Sequence, residues 1–109
     1  MGYQVAFADV DGSGKPDLLT SERYYTPSSS AYYVGRVAMM FAGASGSYDG
    51  DEADGQVIGD TGNGYFGNSL DAGGDVDGDG YDDVLGGRTG YNLNGDFYGD
   101  VLLFTGGEW

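Results

Sequence analysis

Within 109 residues, 18 acidic side chains stand against four basic ones, Lys15, Arg23, Arg36 and Arg88, and the formal net charge of −14 argues against nucleic acid or an anionic membrane surface as a partner. No Cys and no His occur, which excludes disulfides, thiol chemistry, the usual general base and the commonest zinc ligand. Twenty-three glycines without a G-X-Y period are not collagen, and apolar runs such as VAMMF and VLLF ask for burial in one modest core.

Those runs reach only about five residues, against ~20 for a bilayer span, so no membrane insertion is expected. No signal peptide is visible, and the chain is expected to be an excerpt of a longer one.

Gly2 to Ala8, GYQVAFA, alternates loosely and reads as a strand entering Asp9 to Asp17, DVDGSGKPD. There Asp9, Asp11, Ser13 and Asp17 take positions one, three, five and nine, with Lys15 at seven. Glycine between the acidic residues lets the chain curl and point their oxygens at one spot. A hard cation with oxygen ligands suits such a loop, and Ca²⁺ accepts about six to eight oxygens in a flexible shell where Mg²⁺ demands a stricter octahedron. Lys15 would offer its backbone carbonyl. Asp17 to Glu22, DLLTSE, leaves as a second strand, with Pro16 at the loop exit, so the metal would hold the turn of a hairpin.

Arg23 to Gly35 is a connection rich in Ser around Pro27. Its pairs Tyr24–Tyr25 and Tyr32–Tyr33 are expected to pad the gap between neighbouring sheets, or to form an aromatic surface for a sugar or protein partner. Arg36 to Phe41, RVAMMF, suits a strand covered on both faces. Ala42 to Gly55 reads as a solvated loop, in which Asp49, Asp51 and Asp54 break the metal spacing. Gln56 to Gly59 is a short strand before the turn DTGNG.

Then the pattern restarts. Tyr65 to Gly74 leads into Asp75 to Asp83, DVDGDGYDD, where Asp75, Asp77, Asp79 and Asp83 repeat the spacing and Tyr81 takes the carbonyl position. Asp75 lies 66 residues after Asp9. Ser13 stands where this loop has Asp79, so the first loop carries one negative charge fewer and is expected to bind more weakly. Asp82 to Gly87 leaves the loop, Asn92 to Asp96 turns, and Val101 to Phe104 is the third strand. No second copy of QVIG follows. A repeat of this length built from short strands implies an all-β fold with one four-stranded antiparallel sheet per repeat. The repeats are 1–64 and 65–109, the second lacking its fourth strand.

Two competitors are set aside. Asn92, Asn94, Asp96 and Asp100 also fall at one, three, five and nine, but Phe97 stands where the loops have Gly14 and Gly80, and Asn94-Gly95 signals an ordinary hairpin. An EF-hand needs Glu at position twelve and flanking helices, whereas Thr20 and Gly86 stand there between β-like flanks.

Phe66-Gly67, then DVDGDGYDD, then Val84-Leu85-Gly86-Gly87 resembles the FG-GAP repeat of integrin-α-type β-propellers. The resemblance covers nearly the whole chain as almost two repeats. It departs at Met1-Gly2, where Phe-Gly would sit, and neither repeat has Gly-Ala-Pro: the first reads Thr20-Ser21-Glu22, the second Gly86-Gly87-Arg88. The resemblance implies about one propeller blade per repeat and Ca²⁺ in each hairpin loop. Carried over, one site is Asp75, Asp77, Asp79, the Tyr81 carbonyl and Asp83, and the other is Asp9, Asp11, Ser13, the Lys15 carbonyl and Asp17.

The function implied is a non-catalytic, calcium-stabilised segment of an extracellular or cell-surface protein, serving adhesion or assembly. Two blades cannot close a ring, so the expected partners are other blades of a larger propeller or identical chains, with a protein or glycan ligand besides. Alternatives are a self-associating subunit of an extracellular fibre or ring, and a carbohydrate-binding module or accessory part of a secreted hydrolase. Intrinsic catalysis is not expected, because no nucleophile has a neighbouring base and the best carboxylates are committed to metal.

Overall fold

A computed structural model describes residues 2–30, 32–41, 52–60, 62–93 and 96–107, with the backbone alone at 91–93 and 96–98. The described residues contain no α-helix and form two antiparallel sheets. Strands β1 (Val5–Ala8), β2 (Asp17–Glu22), β3 (Arg36–Met40) and β4 (Gly55–Ile58) lie side by side in chain order. Strands β5 (Ser69–Gly74), β6 (Asp83–Leu93) and β7 (Asp96–Phe104) form the second sheet, also in chain order. Neither sheet closes on itself, and the pair has the arrangement of propeller-like blades.

Alternation decides which residues meet. Ala6 opposes Leu19, which opposes Met39, while Val37 opposes Val57, and these apolar side chains share one face of the first sheet. Leu70, Ala72, Val84, Leu102 and Phe104 turn toward them from the second. Phe66, fully buried, fills the space between, and Val10 joins from the first loop. Every residue of β3 is buried, as its unbroken apolar run requires for a strand covered on both faces.

The outer faces are different. Val5 and Phe7 on one sheet and Leu85, Val101 and Leu103 on the other are exposed, with Phe7 at 66% and Val101 at 65%.

Several strand limits differ from the sequence reading, for local reasons. β1 starts at Val5, because Gly2 sits in the left-handed region at φ +87° and breaks the extended run. β5 starts at Ser69, because Tyr65 and Gly67 both have positive φ, 56° and 90°. β6 and β7 run well past the expected strand ends and pair as far as Leu93↔Asp96, so only residues 94–95 separate them. Val101–Phe104 is therefore the second half of a nine-residue strand whose first half was hidden by Gly and Asp.

Candidate metal centres

Both acidic loops sit where a strand hands over to its antiparallel partner: the first joins β1 to β2, the second β5 to β6. In each, the carboxylates are laced to backbone amides in the same way. Gly14 N–H donates to Asp9 Oδ2 at 2.8 Å, and Gly80 N–H donates to Asp75 Oδ2 at 2.9 Å. Val10 N–H donates to Asp17 Oδ2 at 3.0 Å, and Val76 N–H to Asp83 Oδ2 at 2.7 Å. The position-nine residues, Asp17 and Asp83, are buried, so each loop is anchored to the core at its exit. The turning glycines are conformationally required: Gly14 has φ +88° and Gly80 φ +91°.

One carboxylate oxygen from each of Asp75, Asp77, Asp79 and Asp83 lies within 4.8 Å of the others, and the same holds for Asp9, Asp11 and Asp17. Ser13, the neutral member, accepts from Lys15 N–H at 3.3 Å and donates to the Lys15 carbonyl at 3.4 Å. Tyr81 N–H donates to Asp79 Oδ1 at 3.0 Å. Of the Asn92, Asn94, Asp96, Asp100 series only the Asp100 side chain is described, and Arg88 holds it through two hydrogen bonds of 2.8 and 2.6 Å. Of the spacing-breaking acids before β4, Asp49 and Asp51 lie outside the described residues. Asp54 Oδ2 accepts from Phe41 N–H at 2.8 Å.

The crowding leaves an electrostatic signature. The Gly80 amide holds the Asp75 carboxyl below its ordinary value, assisted by the amide of Asp79. Asp77 is pushed the other way, first by desolvation and then by its neighbours Asp79 and Asp75. In the first loop, Asp9 Oδ1 is buried and accepts no hydrogen bond.

No family model matches the chain. Integrin alpha pat-2 of Caenorhabditis elegans is 34% identical over 110 residues, 89% of this chain, and the Caenorhabditis briggsae protein of the same name matches equally. Integrin alpha-PS2 of Drosophila melanogaster is 38% identical over 85 residues, 75% of the chain. The chain is of the integrin-alpha FG-GAP repeat type. The chain spans 9% of the nematode relatives and 6% of the fly one.

Within this FG-GAP chain Tyr24, Tyr32, Tyr33 and Tyr65 cluster beside the β2–β3 connection. Tyr33 stacks on Tyr65 at 5.7 Å between ring centroids, and Tyr24 meets Tyr33 at 5.3 Å. The rings thus tie the β2–β3 connection to the segment before β5, while Tyr24 and Tyr32 keep about half their surface exposed. The Arg36 guanidinium lies 3.8 Å from the centroid of the Tyr25 ring and pairs with Glu22 at 2.7 Å.

One relationship at the loops has no signal in the motif. Asp82, at position eight, turns its carboxylate away from its own loop and accepts from Asp9 N–H at 2.9 Å, while Asp82 N–H donates to the Asp9 carbonyl at 3.0 Å. The two acidic loops are therefore direct neighbours.

Proposed function

We propose that this chain is a non-catalytic, calcium-binding β-propeller-type segment of a cell-surface protein, serving adhesion or assembly. Its repeats are 1–64 and 65–109. One Ca²⁺ is held by Asp75, Asp77, Asp79, the Tyr81 carbonyl and Asp83. Another is held by Asp9, Asp11, Ser13, the Lys15 carbonyl and Asp17.

The observation that carries this reading is the duplicated lacing of carboxylates around two oxygen-only loops, with one buried carboxylate oxygen of Asp9 lacking any protein donor. The donor set fits the ion. Hard oxygen ligands in glycine-rich, flexible loops suit Ca²⁺, and neither loop has the imidazole nitrogen or thiolate sulfur that softer metals prefer. When bound, the ion supplies positive charge that offsets the mutual repulsion of the aspartates. The chain's own part is to hold them: amides of the turning glycines fix position one, and the core fixes position nine. The role is structural, because a ligand that binds the folded state alone stabilises it.

Kinship with integrin alpha chains supports adhesion at the cell surface, and the exposed apolar residues of both outer faces support further blades, or identical chains, as partners. The test is a thermal melt in excess Ca²⁺ and in chelator, with molar mass read on the same samples. At about a hundredfold excess over Kd, each site adds ~2.7 kcal/mol, or roughly 10 °C for a domain of this size. Equal melting temperatures in the two conditions overturn the calcium reading. A stable monomer in Ca²⁺ overturns the partner assignment.

A further inference from the structure

We propose that Asp82 is a positioning residue that couples the two loops, so that Ca²⁺ in the second loop raises the affinity of the first. The inference rests on the calcium reading above and concerns how the two sites act on one another.

Asp82 lies between Tyr81 and Asp83, both ligands of the second site, yet its own carboxylate is outside the cluster formed by Asp75, Asp77, Asp79 and Asp83. It is spent on the first loop instead. Through its carboxylate and its amide it grips Asp9 on both sides, at 2.9 and 3.0 Å, across 73 residues of sequence. Asp9 is position one of the first site, with Oδ2 bound to the Gly14 amide and Oδ1 left buried without a donor. Whatever places Asp82 places the backbone that carries that oxygen.

A second bridge runs in parallel. Gly106 N–H donates to Asp83 Oδ1 at 2.9 Å, and the next amide, Gly107 N–H, donates to the Val10 carbonyl at 2.8 Å. Val10 in turn donates to Asp17, position nine of the first loop. A third contact is steric: the Tyr81 ring lies over Gly12, where an added Cβ would come within 2.6 Å of it. Residues of and beside the second loop thus hold the first loop in place.

The direction of coupling follows from charge. With no cation, the four carboxylates of the second loop repel one another and favour a looser 75–83 segment. Asp82 moves with that segment, and Asp9 loses its acceptor. The first loop, with Ser13 in place of a carboxylate, must then order itself with less cation attraction to offset the cost. Filling the second loop removes that cost before the first binds, which is positive cooperativity, and linkage makes the effect reciprocal.

The amides of Gly14 and Gly80 report each site separately in ¹H–¹⁵N spectra, because each donates to the position-one carboxylate of its own loop. Calcium chloride is titrated into the full chain and into Asp79→Ala, each with Asp82 intact, Asp82→Ala or Asp82→Asn. Asp79→Ala is expected to move the Gly14 midpoint to roughly tenfold higher Ca²⁺. In the Asp82→Ala background the same change is expected to move it less than about twofold. Asn keeps an oxygen acceptor for Asp9 N–H without the charge, so Asp82→Asn is expected to retain most of the coupling, a rescue that charge loss alone does not give.

A Gly14 midpoint indifferent to Asp79→Ala overturns the coupling. Coupling undiminished in Asp82→Ala overturns the role of Asp82. Absence of any saturable shift at both glycines in the native chain overturns the calcium reading itself, a separate result. If Asp79→Ala loses the dispersed spectrum of a folded chain, Asp79→Asn provides the same comparison with less disturbance.

Discussion

The ring of Phe66 lies directly against Gly86, so closely that an added Cβ on Gly86 would come within 2.7 Å of Phe66 Cζ. Phe66 is fully buried and 6.1 Å from the ring of Phe104, and Gly86 stands between Leu70 and Leu102 in the second sheet. The missing side chain at Gly86 is the socket for this ring. Gly86→Ala is expected to destabilise the chain by about 1–3 kcal/mol through overpacking. Gly80→Ala is expected to cost about 1–2 kcal/mol for the opposite reason, since nothing lies within 4 Å of its added Cβ but its φ is +91°. Denaturant midpoints check both. An unchanged midpoint for Gly86→Ala removes the socket as a packing determinant.

Arg88 is buried and joins three segments: β6, Asp100 of β7, and Asp60 beyond β4, the last at 2.6 Å. Its hydrogen bonds hold the Asp100 carboxyl below the ordinary value of 3.8 against an opposing desolvation. A carboxyl lowered by folding contributes stability in full above its unfolded pKa, and that contribution is lost as pH falls through the lower folded value. Asp100→Asn is therefore expected to flatten part of the loss of stability below about pH 4, measured as urea midpoints against pH. Arg88→Lys cannot reproduce the two-pronged contact with Asp100 and is expected to cost roughly 1–3 kcal/mol at neutral pH.

Ser13 is the one neutral side chain among the proposed ligands of the first loop. Ser13→Asp is expected to raise calcium affinity at that loop on the order of tenfold. In chelator the same substitution is expected to lower the melting temperature, because a fourth carboxylate joins Asp9, Asp11 and Asp17 without a counter-charge. Calorimetric titration paired with melts in both conditions reads the two effects, and a gain in chelator contradicts the placement of Ser13 in the cluster.

The local features were legible because they are short-range. The spacing of Asp9, Asp11 and Asp17, and of Asp75, Asp77, Asp79 and Asp83, is a property of nine consecutive residues, and glycine at position six dictates the turn whatever surrounds it. The apolar run of β3 announced its own burial. The length of β6 and β7 was not legible, because Gly, Asn and Asp interrupt the strand signal of Thr89, Tyr91, Phe97 and Tyr98, and cross-strand pairing along the hairpin holds these segments extended. The tyrosines announced a surface or a filler, and only their ring contacts place Tyr65 with Tyr24 and Tyr33.

Residue order alone makes an all-β chain with two acidic hairpin loops legible, since alternation, turn glycines and aspartate spacing act within a few residues. Tertiary structure alone decided that the two loops touch through Asp9 and Asp82, that Phe66 occupies the space left by Gly86, and that Arg88 binds Asp60 and Asp100 together. The physical reason is distance along the chain. Each of these contacts joins residues with no local preference for one another, and they meet only because burying the facing apolar residues of both sheets fixes how the sheets lie together.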